Sequence, residues 1–124
     1  MMKWVRLSLP LAFGLLPSAC APSRPDGTWD DARLVDTLGR GDDDSRRRAA
    51  VLLGGRKSNA ALWPLTKALG DPRWEVRVAA VEGLERSEDS RADRSILAAA
   101  RDRHWGVQTT ALKALGRRRP PGTA

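Results

Sequence analysis

The sequence predicts an all-α fold, a short α-solenoid of about three helical hairpins. Three observations lead there. The first is a 31-residue step: Leu38-Gly39, Leu69-Gly70 and Ala100-Arg101 lie on it, as do Ala49, Ala80 and Ala111, and Leu53, Leu84 and Leu115. Trp74 with Trp105, Val76 with Val107 and Asp71 with Asp102 keep the same interval. Self-similarity at a fixed period of a few tens of residues marks stacked supersecondary units, none of which buries its apolar face alone. The second observation is apolar spacing of three and four residues between Gly and Pro breakers, the period of a half-buried helix. The third is that no segment alternates with period two, so nothing argues for a sheet.

Taken in chain order, residues 1–19 have the layout of an export signal. Lys3 and Arg6 give a positive start, Leu7 to Leu16 is an apolar run broken by Ser8, Pro10 and Gly14, and small Ser18 and Ala19 precede Cys20. The run is too short to span a bilayer, and no later segment is apolar enough to try. Cys20 is the only cysteine, so no intramolecular disulfide can form. An apolar run, two small residues and then Cys resembles the lipid-attachment site of bacterial lipoproteins. That resemblance implies acylation of the Cys20 thiol, cleavage just before it, and a protein held at the cell envelope, with Ala21 compatible with an outer membrane. The pattern departs at Pro17, where that family usually has Leu; ordinary secretion and an uncleaved apolar start are the other readings. Several acyl chains would anchor durably, whereas one binds only marginally. Cleavage there removes Lys3 and Arg6, lowering the net charge from +7 to +5, and removes Phe13, the only Phe. Residues 20–27, with A-P-S-R-P-D-G after the cysteine, read as a flexible tether.

Residues 28–118 hold the repeats. Thr28-x-x-Asp31 has capping-box spacing and opens a first helix carrying Leu34, Val35 and Leu38, which Gly39 and Gly41 end. Asp42 to Asp44 start a second helix with Ala49, Val51, Leu52 and Leu53, stopped by Gly54-Gly55. The second unit begins at Ser58-Asn59, sets Leu62, Leu65 and Leu69 on one stripe, and breaks at Gly70. Asp71-Pro72 suits the cap and first position of the next helix, whose stripe is Val76, Ala80 and Leu84. The third unit opens at Ser90-x-x-Asp93 and runs through Ile96, Leu97 and Ala100. Asp102 then caps a last helix with Val107, Ala111 and Leu115. Gly116 and Pro120-Pro121 close the fold; the chain reads as frayed from Arg117 and as a disordered tail over residues 119–124.

Leu62 to Glu85, L-W-P-L-T-K-A-L-G-D-P-R-W-E-V-R-V-A-A-V-E-G-L-E, resembles a HEAT repeat of the short bacterial kind found in phycobilin lyases. Asp71, Pro72, Val76, Arg77, Ala80 and Leu84 carry the likeness. The third unit keeps Asp102, Trp105, Val107, Ala111, Leu115 and Gly116 but has Gln108 at the arginine position. The first keeps Arg46, Ala49, Leu53 and Gly54, with Arg40 at the aspartate position and Ser45 at the valine position. The resemblance implies structural pairs between neighbouring units, Arg46 with Asp71 and Arg77 with Asp102. It also implies that the second helices line a concave face.

Catalysis has little to stand on. His104 is the lone histidine, which supplies neither a triad nor a metal cluster, and reads as an exposed turn residue. Asp42-Asp43-Asp44 lacks the spacing and terminal Glu of a calcium loop and reads as charge at a helix N-terminus. No catalytic residue, metal site or cofactor is expected. Trp74 and Trp105, at corresponding positions, read as packing between units. Arg46-Arg47-Arg48, Arg56-Lys57 and Arg117-Arg118-Arg119 raise nucleic acid or anionic headgroups, but interspersed acids and a modest net charge argue against nucleic acid. The expected function is a monomeric, non-catalytic adaptor of the cell envelope, exported and lipid-anchored, that binds another protein on its second-helix face. Arg47, Arg48, Val78, Ala79, Thr109 and Thr110 are the candidate contacts on that face, and Trp63 is a further exposed contact. The alternatives are a cytoplasmic nucleic-acid binder and a lyase-type enzyme subunit.

Overall fold

Six α-helices follow one another within residues 25–119, the residues that the computed structural model describes. The signal-like segment 1–19, Cys20, the start of the tether and residues 120–124 lie outside the described residues. Helices α1 (Asp31–Arg40) and α2 (Asp43–Gly55) make the first unit. A 3-10 turn at Asn59–Ala61 leads into α3 (Leu62–Ala68), which pairs with α4 (Trp74–Glu85) in the second. Helices α5 (Arg91–Ala99) and α6 (Trp105–Arg118) make the third. No strand occurs among the described residues.

The helices form two layers. The second helices α2, α4 and α6 pack closely in succession, each first helix lies on its own second helix, and α1, α3 and α5 touch one another far less. Leu34, Leu53, Leu65, Leu84 and Ile96 fill the space between the layers, with Val76, Val81 and Val107, and all are fully buried. Ala49, Ala80 and Ala111, one per unit, have no exposed surface; side chains this small let the helices approach closely. Apart from Trp29, buried in the turn before α1, the core is aliphatic. Trp29 carries the Arg33 guanidinium 3.5 Å above its ring.

Where helices begin differs from the sequence expectation in four places, and the reason is a competing bond each time. The Thr28 hydroxyl is engaged by the Asp26 carboxylate, so Asp30 caps α1, accepting from the Arg33 amide at 2.8 Å. Asp71 accepts from the Arg73 amide at 2.9 Å, and α4 starts only at Trp74. Asp102 does the same for the His104 amide, and the cap of α6 is His104 itself, whose Nδ1 accepts from the Gly106 amide at 3.1 Å. At α5 the carboxylate that receives a free amide belongs to Asp89, which accepts from Arg91 at 2.8 Å, while Ser90 makes no side-chain cap. Asp42 does cap α2, through the Ser45 amide at 2.8 Å.

The Gly54-Gly55 pair ends α2, but neither glycine makes the turn. Both are helical, and the left-handed conformation usually left to glycine falls two residues later at Lys57, whose φ is 52°. Gly54 serves packing instead. A Cβ there would lie 2.4 Å from the Gly83 Cα, so α2 and α4 touch backbone to backbone. The tail also departs from expectation: Arg117 and Arg118 are in α6, and Arg118 is largely buried in bonds to the preceding turn.

Candidate functional site

Two charged pairs bind the units into one stack. Arg46 on α2 donates from Nε and Nη2 to Asp71 at 2.7 and 3.0 Å, while its Nη1 donates to the Gly41 carbonyl at 2.9 Å. One step along, Arg77 on α4 donates to Asp102 at 2.8 and 2.9 Å, and its Nη1 to the carbonyls of Asp71 and Pro72 at 2.8 and 3.1 Å. These parallel bidentate bonds are the strong form of the interaction. The Asp71 bond holds the Arg46 pKa above its ordinary value. Burial pushes the Asp102 carboxyl up, but the Arg77 guanidinium and the His104 amide outweigh it, and the net shift is downward. Gln108 stands at the third arginine position and reaches the Asp102 carbonyl, taking over the turn-bracing half of the arginine's work.

Arg56 and Arg118, which the sequence presents as parts of basic clusters, form a second set of structural pairs. Arg56, at the end of α2, binds Asp31 and the Trp29 carbonyl; Arg118, two 31-residue steps later, binds Asp93 and the carbonyls of Glu85 and Asp89. Each clasps the end of a unit's second helix to the start of its first. The signal was available, because Arg56 follows Asp31, and Arg118 follows Asp93, by the same 25 residues that separate Arg46 from Asp71.

The second-helix face holds an open groove between α2 and α4, lined by Arg47, Val51, Trp74, Glu75, Val78, Ala79 and Glu82. Val51 and Trp74 are both 41% exposed and Val78 is half-buried, which makes an apolar strip between charges of both signs. Glu75 Oε1 is held by Arg73 at 3.3 Å, while its Oε2 is buried without a hydrogen-bond partner among the described residues. Of the candidate contacts, Arg47 and Val78 meet in this groove. Arg48 lies beside it with Pro25 and Leu52, and both arginines are tied to Asp44, at 3.3 and 2.9 Å. Ala79 is buried and offers no contact surface. Thr109 and Thr110 lie on α6 outside the groove, and their hydroxyls donate back to the carbonyls of Trp105 and Gly106.

Trp63 does not join this face. It stands in the first-helix layer, 73% exposed, between a groove shared with α1 and another shared with α5. The turn aromatics are also redistributed. His104 is not a free turn residue: it stacks on Trp74 at 4.3 Å with an interplanar angle of 4°, joining the second unit to the third. Trp74 packs between units in this way, but Trp105 is 73% exposed.

Among the described residues no three His, Cys, Asp or Glu side chains gather as metal ligands, and no helix is long and apolar enough to cross a membrane. No curated protein gives a significant match to the chain. A family model for HEAT repeats, however, matches residues 32–116, a span running from α1 to the last turns of α6. With paired helices in two layers and an Arg–Asp ladder at each junction, the chain belongs to the HEAT-repeat family.

Proposed function

We propose that this chain is a non-catalytic adaptor of the bacterial cell envelope, anchored through an acylated Cys20, which docks a partner protein in the groove between α2 and α4. HEAT repeats generally mediate protein–protein interaction. The observation that carries the reading is the groove itself, with an apolar strip of Val51, Trp74 and Val78 between charges of both signs. Glu75 and Glu82 in the lining, and the engagement of Arg47 and Arg48 by Asp44, favour a protein over a phosphate backbone. The layout of residues 1–20 supports export and lipidation.

Two measurements test this. The intact mass of membrane-extracted protein should fit residues 20–124 plus acyl chains; an unmodified full-length mass in the soluble fraction refutes the anchor. A photo-crosslinking residue at Val78 should trap one reproducible protein in cells, and one at Asp36 on α1 should not. Equal trapping at both positions, or none at Val78, removes the groove from consideration.

A further inference from the structure

We infer that the far end of the stack, the surface of α6 turned away from α4, is a second docking site that takes an amphipathic helix with acidic flanks from another protein. The direction of each position follows from burial along the 31-residue step. Ala50 and Val81 have no exposed surface, whereas their equivalent Leu112 is 61% exposed. Among the described residues, the first unit has only the second as a neighbour, and so has the third. A position buried in the first two and open in the third therefore faces the following unit. Trp105 and Leu97 share that direction. Their equivalents Trp74 and Thr66 reach forward to His104, stacked at 4.3 Å, and to the Ser95 hydroxyl at 3.2 Å, while Trp105 is 73% and Leu97 55% exposed. The surface that receives a helix elsewhere in the stack is thus uncovered by any helix among the described residues, and exposed apolar patches of this kind mark interaction sites.

The opposite end of the stack is built differently. Val76 and Val107, and Ala61 and Ala92, are buried against the preceding unit, but their equivalents in the first unit are polar, Ser45 and Asp30. A polar start and an apolar end do not match, so copies do not stack head to tail. Charge argues against a face-to-face pair as well. From Arg91 to Arg119 the chain has two acidic residues, Asp93 and Asp102, each already bound to an arginine. Arg101, Lys113 and Arg119 are exposed and form no ion pair among the described residues. Two copies would bring these cations together, whereas an apolar helix flanked by Asp and Glu would neutralise them.

The test uses the full-length chain in neutral-lipid nanodiscs and a fluorescent peptide of about 18 residues, five helical turns, with a Leu stripe flanked by Glu. Binding is read by anisotropy, beside a twin peptide with Lys for every Glu. The Glu peptide should bind and the Lys twin should not. Leu112→Ser and Trp105→Ala, both at exposed positions that leave the helical circular dichroism unchanged, should each weaken binding about tenfold. The double variant Arg101→Glu/Lys113→Glu should weaken it comparably and flatten its salt dependence. Val78→Glu, in the α2–α4 groove, should leave it unchanged, so this site and the proposed adaptor groove fail independently. Undiminished binding to Leu112→Ser, or equal binding of the Lys twin, overturns the inference. So does self-association in sedimentation equilibrium that Leu112→Ser abolishes, which would assign the surface to a second copy.

Discussion

Removing the Asp102 carboxylate should destabilise the stack more than any exposed charge change, because it orphans a buried cation. The Arg77 and Asp102 side chains are only 4% and 11% exposed, and they share two bonds of 2.8 and 2.9 Å. In Asp102→Ala the guanidinium keeps its donors to the Asp71 and Pro72 carbonyls but loses its counter-charge while remaining out of water. Breaking one side of a buried pair costs about 3–5 kcal/mol. At about 0.05–0.15 kcal/mol per residue, the whole repeat domain has roughly 5–14 kcal/mol to lose. The loss should lower Tm by at least about 12 °C, taking about 4 °C per kcal/mol for a domain of this size. Urea titrations followed by circular dichroism at 222 nm measure it. Asp36→Ala provides the contrast: its partner Arg40 is 84% exposed, and the change should stay within about 0.5 kcal/mol. The double variant Arg77→Met/Asp102→Ala should recover a good part of the loss, since it removes the orphaned charge. Recovery should be incomplete because two turn carbonyls then lack their donor. If Asp102→Ala behaves like Asp36→Ala, or the double variant is no better than the single, the pair does not hold these units together.

Three further changes can be read in the same titration. Gly54→Ala should destabilise by about 1–3 kcal/mol despite better helix propensity, because its Cβ would lie 2.4 Å from backbone; Gly116→Ala, with nothing within 4 Å, should gain about 0.5–1 kcal/mol. A loss at both glycines, or at neither, contradicts the close approach of α2 and α4. Lys57→Gly should stabilise by about 1 kcal/mol by relieving a φ of 52°, and a loss would show that the Lys57 side chain does more than the turn requires. Acid should weaken the fold between about pH 4 and 2. Bonds from Arg91 hold the Asp89 pKa down to about 2, and Asp102 is also below its ordinary value, so the unfolded chain takes up protons there that the folded chain refuses. A urea midpoint unchanged from pH 5 to pH 2.5 would show that neither carboxylate is linked to folding.

The repeat was legible because a solenoid writes the same packing demand into the chain at every step. Ala49, Ala80 and Ala111 recur because the same position is fully buried in every unit, where small side chains let helices pack closely. Helix starts were harder to place. A spacing such as Thr28-x-x-Asp31 records which groups can bond, whereas the choice among partners is made by residues distant in sequence: Asp71 is drawn to Arg46, and Asp93 to Arg118. The glycine pair was legible only in part for a related reason. Locally Gly54 reads as a stop, but its missing Cβ is needed by Gly83, one unit away. Of the candidate contact residues, Arg47 and Val78 share a groove because they share a register on successive second helices. Trp63 falls in the other layer because it belongs to a first helix. Its exposure was readable, but its face follows only from the layer its helix occupies.

The two ends of the stack therefore carry different information. In a quasi-one-dimensional fold each unit is stabilised only by its neighbours, so an end position free of packing demand can drift towards polar residues. The first unit has done so, with Asp30 and Ser45 where later units have alanine and valine, and with Arg40 where they have the ladder aspartate. The third unit has done so only in part. Gln108 replaces the ladder arginine, so no buried cation waits for an absent partner. Yet Trp105 and Leu112 remain large, apolar and open on the same helix. Stability alone would favour replacing them, since an exposed Leu in water contributes little and invites aggregation. Their presence beside a polar Gln108 separates the two roles that an end position can have. The ladder is closed off at Gln108, while the open apolar surface is what the inferred docking helix would cover.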